Sequence, residues 1–191
     1  MTVEIAEPRM TRAALRILET ASELFYHRGI HTVGVDLIAA EAGVTKKTIY
    51  DRFGSKDNLV AAYLRARDRR WRAVVDRHIE AAAGPGEAAL AVFDSLEEWR
   101  AAEGTRGCAM INARAEYAGP DHPSRALAAD QKHWLRDRFR ALVEAAGLPG
   151  SADLAVELLV LHEGAVVMGD VGELEDATAL AKRAAARLLG L

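Results

Sequence analysis

The sequence predicts an all-α protein built of an N-terminal three-helix domain with a helix-turn-helix and a larger C-terminal helical bundle. Three observations carry this. Ala, Leu, Glu and Arg dominate the 191 residues, and these are strong helix formers. Apolar residues recur at three- and four-residue spacing, while the β-branched alternation of strands is scarce. Short glycine- and proline-bearing segments, AAAGPGEA, GTRG, GPDHP, GLPGS and GDVG, punctuate the helical stretches.

The elements follow in order. Thr11 is placed to cap a first helix whose inward face holds Ala14, Leu15, Leu18, Ala21, Leu24 and Phe25. Gly29 stops it. A short second helix fits Val35–Ala42, with Val35, Ile38 and Ala39 inward, and Gly43 supplies the left-handed residue that ends it. The third is expected to be shorter still, capped by Thr45, buried along Ile49 and Phe53, and closed by Gly54. Ser55 caps a fourth helix from Lys56 through Trp71 toward Ile79, with Asp57 in its first turn. Further helices are expected over 86–103, 107–118, 122–146, 152–169 and 173–189. Pro123 suits the first turn of its helix, and Ser151 is read as a cap. The resulting division is a flexible tail over 1–10, a helix-turn-helix domain over 11–56 and a bundle over 57–191, linked by the helix from 56 to about 79.

Half of the residues are apolar, enough for a sizeable core without staples. The single cysteine, Cys108, has no intrachain disulfide partner, and MTVEIAEPRM lacks the basic-then-apolar order of a secretory signal. A cytoplasmic setting is expected. No stretch approaches the roughly 18 unbroken apolar residues of a membrane span, so no membrane partner is expected.

Charge is uneven. The net charge is −3, yet residues 1–70 carry 12 Lys+Arg against 9 Asp+Glu, a surplus of +3, and residues 71–191 carry 13 against 19, a deficit of −6. The cationic end is sharpest in AGVTKKTIYDRFGSKDNL, residues 42–59. Two short helices joined through AGVT, the second bearing the charge, are what a helix-turn-helix requires for entry into the major groove. At 100° per residue, Lys47 and Asp51 lie about 160° from the buried Ile49, and Thr48 and Tyr50 flank that exposed pole. Lys46 and Arg52 sit nearer the core boundary, from which long side chains reach phosphates. Lys56 opens the fourth helix, where its ammonium and backbone N–H groups can hold a phosphate. Singly, each of these residues is an ordinary solvated or core residue. Capping, turn and spacing together predict a double-stranded-DNA interface comprising Thr45, Lys46, Lys47, Thr48, Tyr50, Asp51, Arg52 and Lys56.

The segments ILETASELF, RGIHTVGVDLIA, AGVTKKTIYDRF and SKDNL, in this order and spacing over about residues 11–60, resemble the N-terminal signature of the TetR family of transcriptional regulators. GCAMINARAE, DHP and LLVLHEGA look like pieces found in a subset of these regulators. The resemblance implies an all-α homodimer that binds an operator, senses a small-molecule effector through its C-terminal domain and represses transcription. Two positions depart from the family pattern. Val33–Gly34 stands where a small hydroxyl residue often opens the second helix, leaving a phosphate contact there absent or supplied by Thr32 or a backbone N–H. Asp51 stands where a basic or aromatic residue often follows the tyrosine, and it either accepts from cytosine N4 or pairs with Lys47 one turn back.

One such helix reads only a few base pairs, so two copies about 34–36 Å apart are expected. The last two helices offer the dimer interface: Leu158, Leu159, Leu161, Ala165 and Val166 on one, Leu180, Ala184 and Leu188 on the other, with Gly164 permitting close approach. The middle helices would enclose the effector. Trp71, Phe93, Trp99, Met110, Tyr117, Trp134, Phe139, His162 and Met168 supply apolar lining, and Asn112, Arg114, His133 and Glu163 supply polar contacts.

Catalysis is the rival class. HEGAV at 162–166 lacks the second histidine of a zinc-protease helix, since Val166 fills that place. His27 and His31 are four apart, but Gly29 ends the helix between them. No phosphate-binding glycine loop or nucleophile elbow is present. No cofactor or metal is expected. A ligand-independent DNA-binding protein is the remaining alternative, and a small helical enzyme is the least favoured.

Overall fold

Thr11 opens the first helix as its position predicts: its Oγ1 accepts the Ala14 N–H at 3.3 Å, and α1 runs Arg12–Arg28. The structure is a computed structural model that describes residues 10–104, 106–117, 119, 122–172 and 174–191. The expected tail over 1–10 lies outside the described residues, apart from Met10. Ala14, Leu18, Ala21 and Phe25 fall within an arc of about 60° on α1 and are buried, together with Ile17 and Leu24. Leu15 does not join them. It lies roughly 100° around the helix from Ala14 and is 44% exposed, while Ile17, absent from the expected face, takes the inward place at 0%.

The segment α2 (Val35–Glu41) ends in a Schellman turn: Val44 N–H donates to Ala39 O at 3.0 Å, Gly43 N–H to Ala40 O at 3.3 Å, and Gly43 adopts φ 62°. These bonds satisfy carbonyls that the helix end would leave without partners. Thr45 then caps α3 (Lys46–Phe53), its Oγ1 accepting the Thr48 N–H at 3.1 Å. With eight residues, α3 is longer than the seven-residue α2, reversing the expected order. The Ser55 Oγ accepts the Asn58 N–H at 3.0 Å and starts α4 (Lys56–Glu80).

The chain divides into two compact units between Tyr63 and Leu64, within α4. In the first unit, α1, α2 and α3 pack against one another. Val33, Ile38 and Ile49 are fully buried, and the Tyr63 ring lies 5.9 Å from that of Phe25. Each such large side chain stabilises by about 1.5–3 kcal/mol.

The second unit adds α5 (Pro85–Glu103), α6 (Ala109–Glu116), α7 (Pro123–Ala145), α8 (Ser151–Asp170) and α9 (Ala177–Leu189). Helix α8 packs against α7 and α9, and α5 packs against α7 and α9 in turn. Phe93, Leu135, Phe139 and Leu158 form the middle of the core at 0–1% exposure, with the two phenyl rings 5.9 Å apart. Three of the shifts from the expected boundaries have a local cause. Gly107, at φ 65°, delays α6 to Ala109. Gly150 is the N-cap of α8 in the left-handed region, so Ser151 is its first helical residue and spends its hydroxyl on Glu144 Oε1 at 3.1 Å. A turn in which Leu174 N–H donates to Met168 O and Ala177 N–H to Leu174 O postpones α9 to Ala177.

Helix α4 is held to α5 by a charged clamp. Arg67, only 7% exposed, donates to Glu103 Oε2 at 2.8 Å and to Glu103 O at 3.0 Å. Arg70 Nε adds a bond to Glu103 Oε1 at 2.6 Å. Trp71 meets Trp99 edge to face at 5.4 Å, and the Arg67 guanidinium lies 4.9 Å from the Trp99 ring. No helix among the described residues is long and apolar enough to cross a membrane.

Candidate functional site

The first unit presents a polar surface around one buried residue. Ile49 at 0% exposure fixes the rotation of α3, so Thr45, Lys46, Lys47, Tyr50, Asp51 and Arg52 come to the outside, with Tyr50 at 42%. Thr48 and Phe53 are half-buried; Phe53 is therefore a margin of the helix rather than a fully buried edge. The Thr45 and Thr48 hydroxyls share a bond of 2.8 Å. Lys46 Nζ reaches Asp36 Oδ2 on α2 at 3.0 Å, an exposed bridge across the turn. That bond raises the Lys46 pKa, the hydrogen bond contributing most and the Asp36 charge next.

Lys47 Nζ lies 2.6 Å from Asp51 Oδ2, so the aspartate pairs along its own helix. Thr32 is exposed ahead of α2, and Gly34 caps that helix without a side-chain bond. Lys56 is turned inward: its Nζ donates to Ile30 O at 2.6 Å and lies 6.0 Å from the Phe25 ring. The ammonium thus secures the start of the α1–α2 connection.

The second unit contains a cavity of about 60 Å³. Of the residues expected to line it, Trp71, Trp99, Met110, His162 and Glu163 do so, and Ala165 and Val166, expected at a dimer interface, are on its wall as well. Others are elsewhere. Phe93 and Phe139 are core, and Trp134 packs on that core beneath the Arg72 guanidinium at 4.8 Å. Tyr117 stacks on His122 at 3.5 Å. Asn112 faces outward and donates to Arg106 O at 2.8 Å, while Arg114, His133 and Met168 are exposed. These corrections have one cause: a side chain's type does not say which face of its helix turns inward.

The polar wall includes residues that the sequence reading missed, namely Arg67, Arg100, Gln131 and Lys132. Arg67 had a signal, because it stands one turn before Trp71 on α4 and so shares its face. Lys132 Nζ lies 2.8 Å from Glu163 Oε1 and 3.6 Å from Cys108 Sγ. Burial alone would lower the Lys132 pKa, but the sulfur and the carboxylate outweigh it and hold the ammonium above its ordinary value. Burial alone would raise the Glu163 pKa; the His162 hydrogen bond and the Lys132 charge overcome that and lower it to about 2. His162 is pushed the other way, its pKa lowered chiefly by burial.

The expected dimer residues divide. Leu158 and Ala165 are internal at 0% and 4%, and Leu159, Leu161 and Val166 pack half-buried against the same core. The exposed apolar stripe of α8 runs instead through Val156, Val160, Gly164 and Val167, with Val160 at 64%. On α9, Leu180 and Leu188 are exposed at 40% and 42% with Ala184 half-buried between them.

Comparison with known proteins follows the same outline. Residues 17–63 match the family described as bacterial regulatory proteins, tetR family. A TetR-family transcriptional regulator from Streptomyces coelicolor is similar at 34% identity, covering 93% of this chain and 94% of that one, with a TM-score of 0.86. A TetR regulator from Chloroflexus aurantiacus shares the fold at TM-score 0.81 and 20% identity, over 93% and 94% of the two chains. The HTH-type transcriptional activator FasR of Mycolicibacterium smegmatis is 38% identical over 88 residues, or 46% of this chain. The match spans about a third, 35%, of that relative's length.

Proposed function

The chain belongs to the TetR family of bacterial transcriptional regulators, and from that premise we propose that it is a cytoplasmic, homodimeric repressor released from a palindromic operator by a small-molecule effector. It is a DNA-binding regulator, not an enzyme. The single observation that carries the DNA-reading surface is the rotation of α3, with Ile49 buried and Lys47, Tyr50 and Asp51 outward. In this reading Tyr50 and Thr48 approach base edges, while Lys46, Arg52 and Lys56 contact phosphates. Thr45 positions the helix through its cap, and Thr32 serves the phosphate next to α2. Asp51 acts by holding Lys47 rather than by accepting from a base, a reading supported by their 2.6 Å bond.

A second copy covers the exposed stripe on α8 together with Leu180, Ala184 and Leu188 on α9, making a four-helix bundle. Gly164 suits this, since a Cβ there would meet open space and its absence lets a partner helix come close. The cavity beside Trp71 and His162 takes the effector. At about 60 Å³ it admits a ring only if its wall moves. Binding therefore selects a conformation, which we read as a dimer whose recognition helices no longer match the operator spacing. Helix α4, beginning at Lys56 and continuing to Trp71, is the lever. A coupling of about 1–3 kcal/mol would weaken operator binding roughly 5- to 150-fold.

Selection of bound sequences from random duplex DNA, followed by a reporter driven by the selected site, tests this reading. A palindrome whose reporter is silenced supports a repressor. Activation, the role given in the name of the M. smegmatis relative, would reverse the sign of regulation. Operator binding that no cavity ligand changes would favour a ligand-independent DNA-binding protein.

A further inference from the structure

The cavity wall sets a chemical requirement on whatever enters. His162, 3% exposed, lies on that wall, its ring 5.7 Å from Trp71, 6.1 Å from Phe93 and 6.4 Å from Phe139. Its Nδ1 stands 3.2 Å from Glu163 Oε1. That carboxylate is ionised at neutral pH and only accepts. Nδ1 must therefore carry the proton and donate it. Burial keeps the ring neutral, so Nε2 is a bare lone pair. It has no hydrogen-bond partner among the described residues. A buried acceptor in that condition calls for a donor.

The nearby donors are engaged. Lys132 serves Glu163 and Cys108, Gln131 Nε2 donates to Asp68 Oδ1 at 3.0 Å, and Arg100 Nη2 donates to Gly169 O at 2.7 Å. Positive charge on the wall is answered in kind. Arg67 is held by Glu103 and Lys132 by Glu163, and the wall that carries Arg100 also carries the carboxylate of Asp170. An anion is therefore not what the wall lacks. Trp71 and Trp99, set edge to face, give a planar ring a surface to lie on.

We infer that the effector is an uncharged aromatic molecule whose hydroxyl or N–H donates to His162 Nε2 while its ring lies against Trp71 and Trp99. The inference rests on the cavity being the effector site proposed above.

The test titrates the full chain with phenol, its methyl ether anisole, and benzoate, following tryptophan fluorescence and the imidazole ¹⁵N resonances. Phenol should bind about tenfold more tightly than anisole, the worth of a donor to a buried acceptor, and should move the Nε2 resonance. Benzoate should bind more weakly than phenol, and His162→Phe should erase the phenol–anisole difference. Equal affinities for phenol and anisole, an Nε2 resonance that phenol leaves in place, tightest binding by benzoate, or binding of none of the three would overturn the inference. If His162→Phe does not fold, the wild-type affinities and resonances decide alone. Failure of the effector reading looks different: phenol binds as expected, and operator affinity does not change.

Discussion

Asp51 and His162 show how a single residue is decided by its nearest partner. The 2.6 Å bond from Lys47 to Asp51 lies on an exposed helix face, so it contributes little to folding, but it ties up a cation that would otherwise meet a phosphate. Asp51→Ala should leave the preferred DNA sequence unchanged and steepen the salt dependence of binding by about 0.9 per subunit. Selection with the variant, followed by a salt titration, checks this; a changed sequence preference would restore the aspartate as a base reader. His162 makes a stability prediction. Its folded pKa is lowered by burial, so below about pH 6.5 the unfolded chain takes up a proton that the folded chain refuses. Stability should fall on acidification from there, at up to about 1.4 kcal/mol per pH unit. Below about pH 4.3 the Glu163 contribution, present above its unfolded pKa, begins to be lost as well, progressively toward its folded value of about 2. Urea midpoints at pH 7, 6 and 5 should show the first decline in the wild type and a shallower one in His162→Phe. The Lys47–Asp51 pair was legible from its four-residue spacing. The bond from Lys56 to Ile30 O was not, because it joins residues 26 apart in sequence.

Helices were legible where their signals are local. Thr11, Thr45 and Ser55 cap as read, because a hydroxyl and the N–H three residues on are neighbours whatever the rest of the chain does. The inward face of α8 was not legible, since its apolar residues surround the whole helix and only packing against α7 and α9 selects Leu158 over Val160. Leu15 and Ile17 on α1 exchanged places for a similar reason: both are apolar, and the arc that turns inward is set by the partner helices. The one cap that α2 lacks yields a prediction. Gly34 has φ −80°, and a Cβ there would meet nothing within 4 Å. Gly34→Ser should supply a hydroxyl cap and reduce the freedom of the unfolded chain, stabilising by about 0.4–1 kcal/mol. The same hydroxyl is placed to donate to a DNA phosphate, so operator affinity should rise. Thermal melts and operator titrations measure both, and a lowered melting temperature would contradict the described helix start.

At the scale of the molecule, the charge division was visible in composition, and the all-helical architecture followed from period and propensity. The polar wall of the cavity was not visible, because Lys132 on α7 and Glu163 on α8 meet only in the packed bundle. Val160, 64% exposed in the single chain, separates folding from assembly. Val160→Asp should leave the fold within about 0.5 kcal/mol of wild type, convert the proposed dimer to a monomer in light scattering, and weaken operator binding. A variant that remains dimeric would move the interface elsewhere. The central claim is that the outward face of α3 reads DNA, and the affinity of Tyr50→Ala for the operator selected by the wild type tests it most directly. Because Tyr50 is 42% exposed and Ile49 carries the packing, the variant should fold normally, lose operator affinity and keep its weak, salt-sensitive binding to unrelated duplexes. Undiminished affinity for the operator would contradict the account.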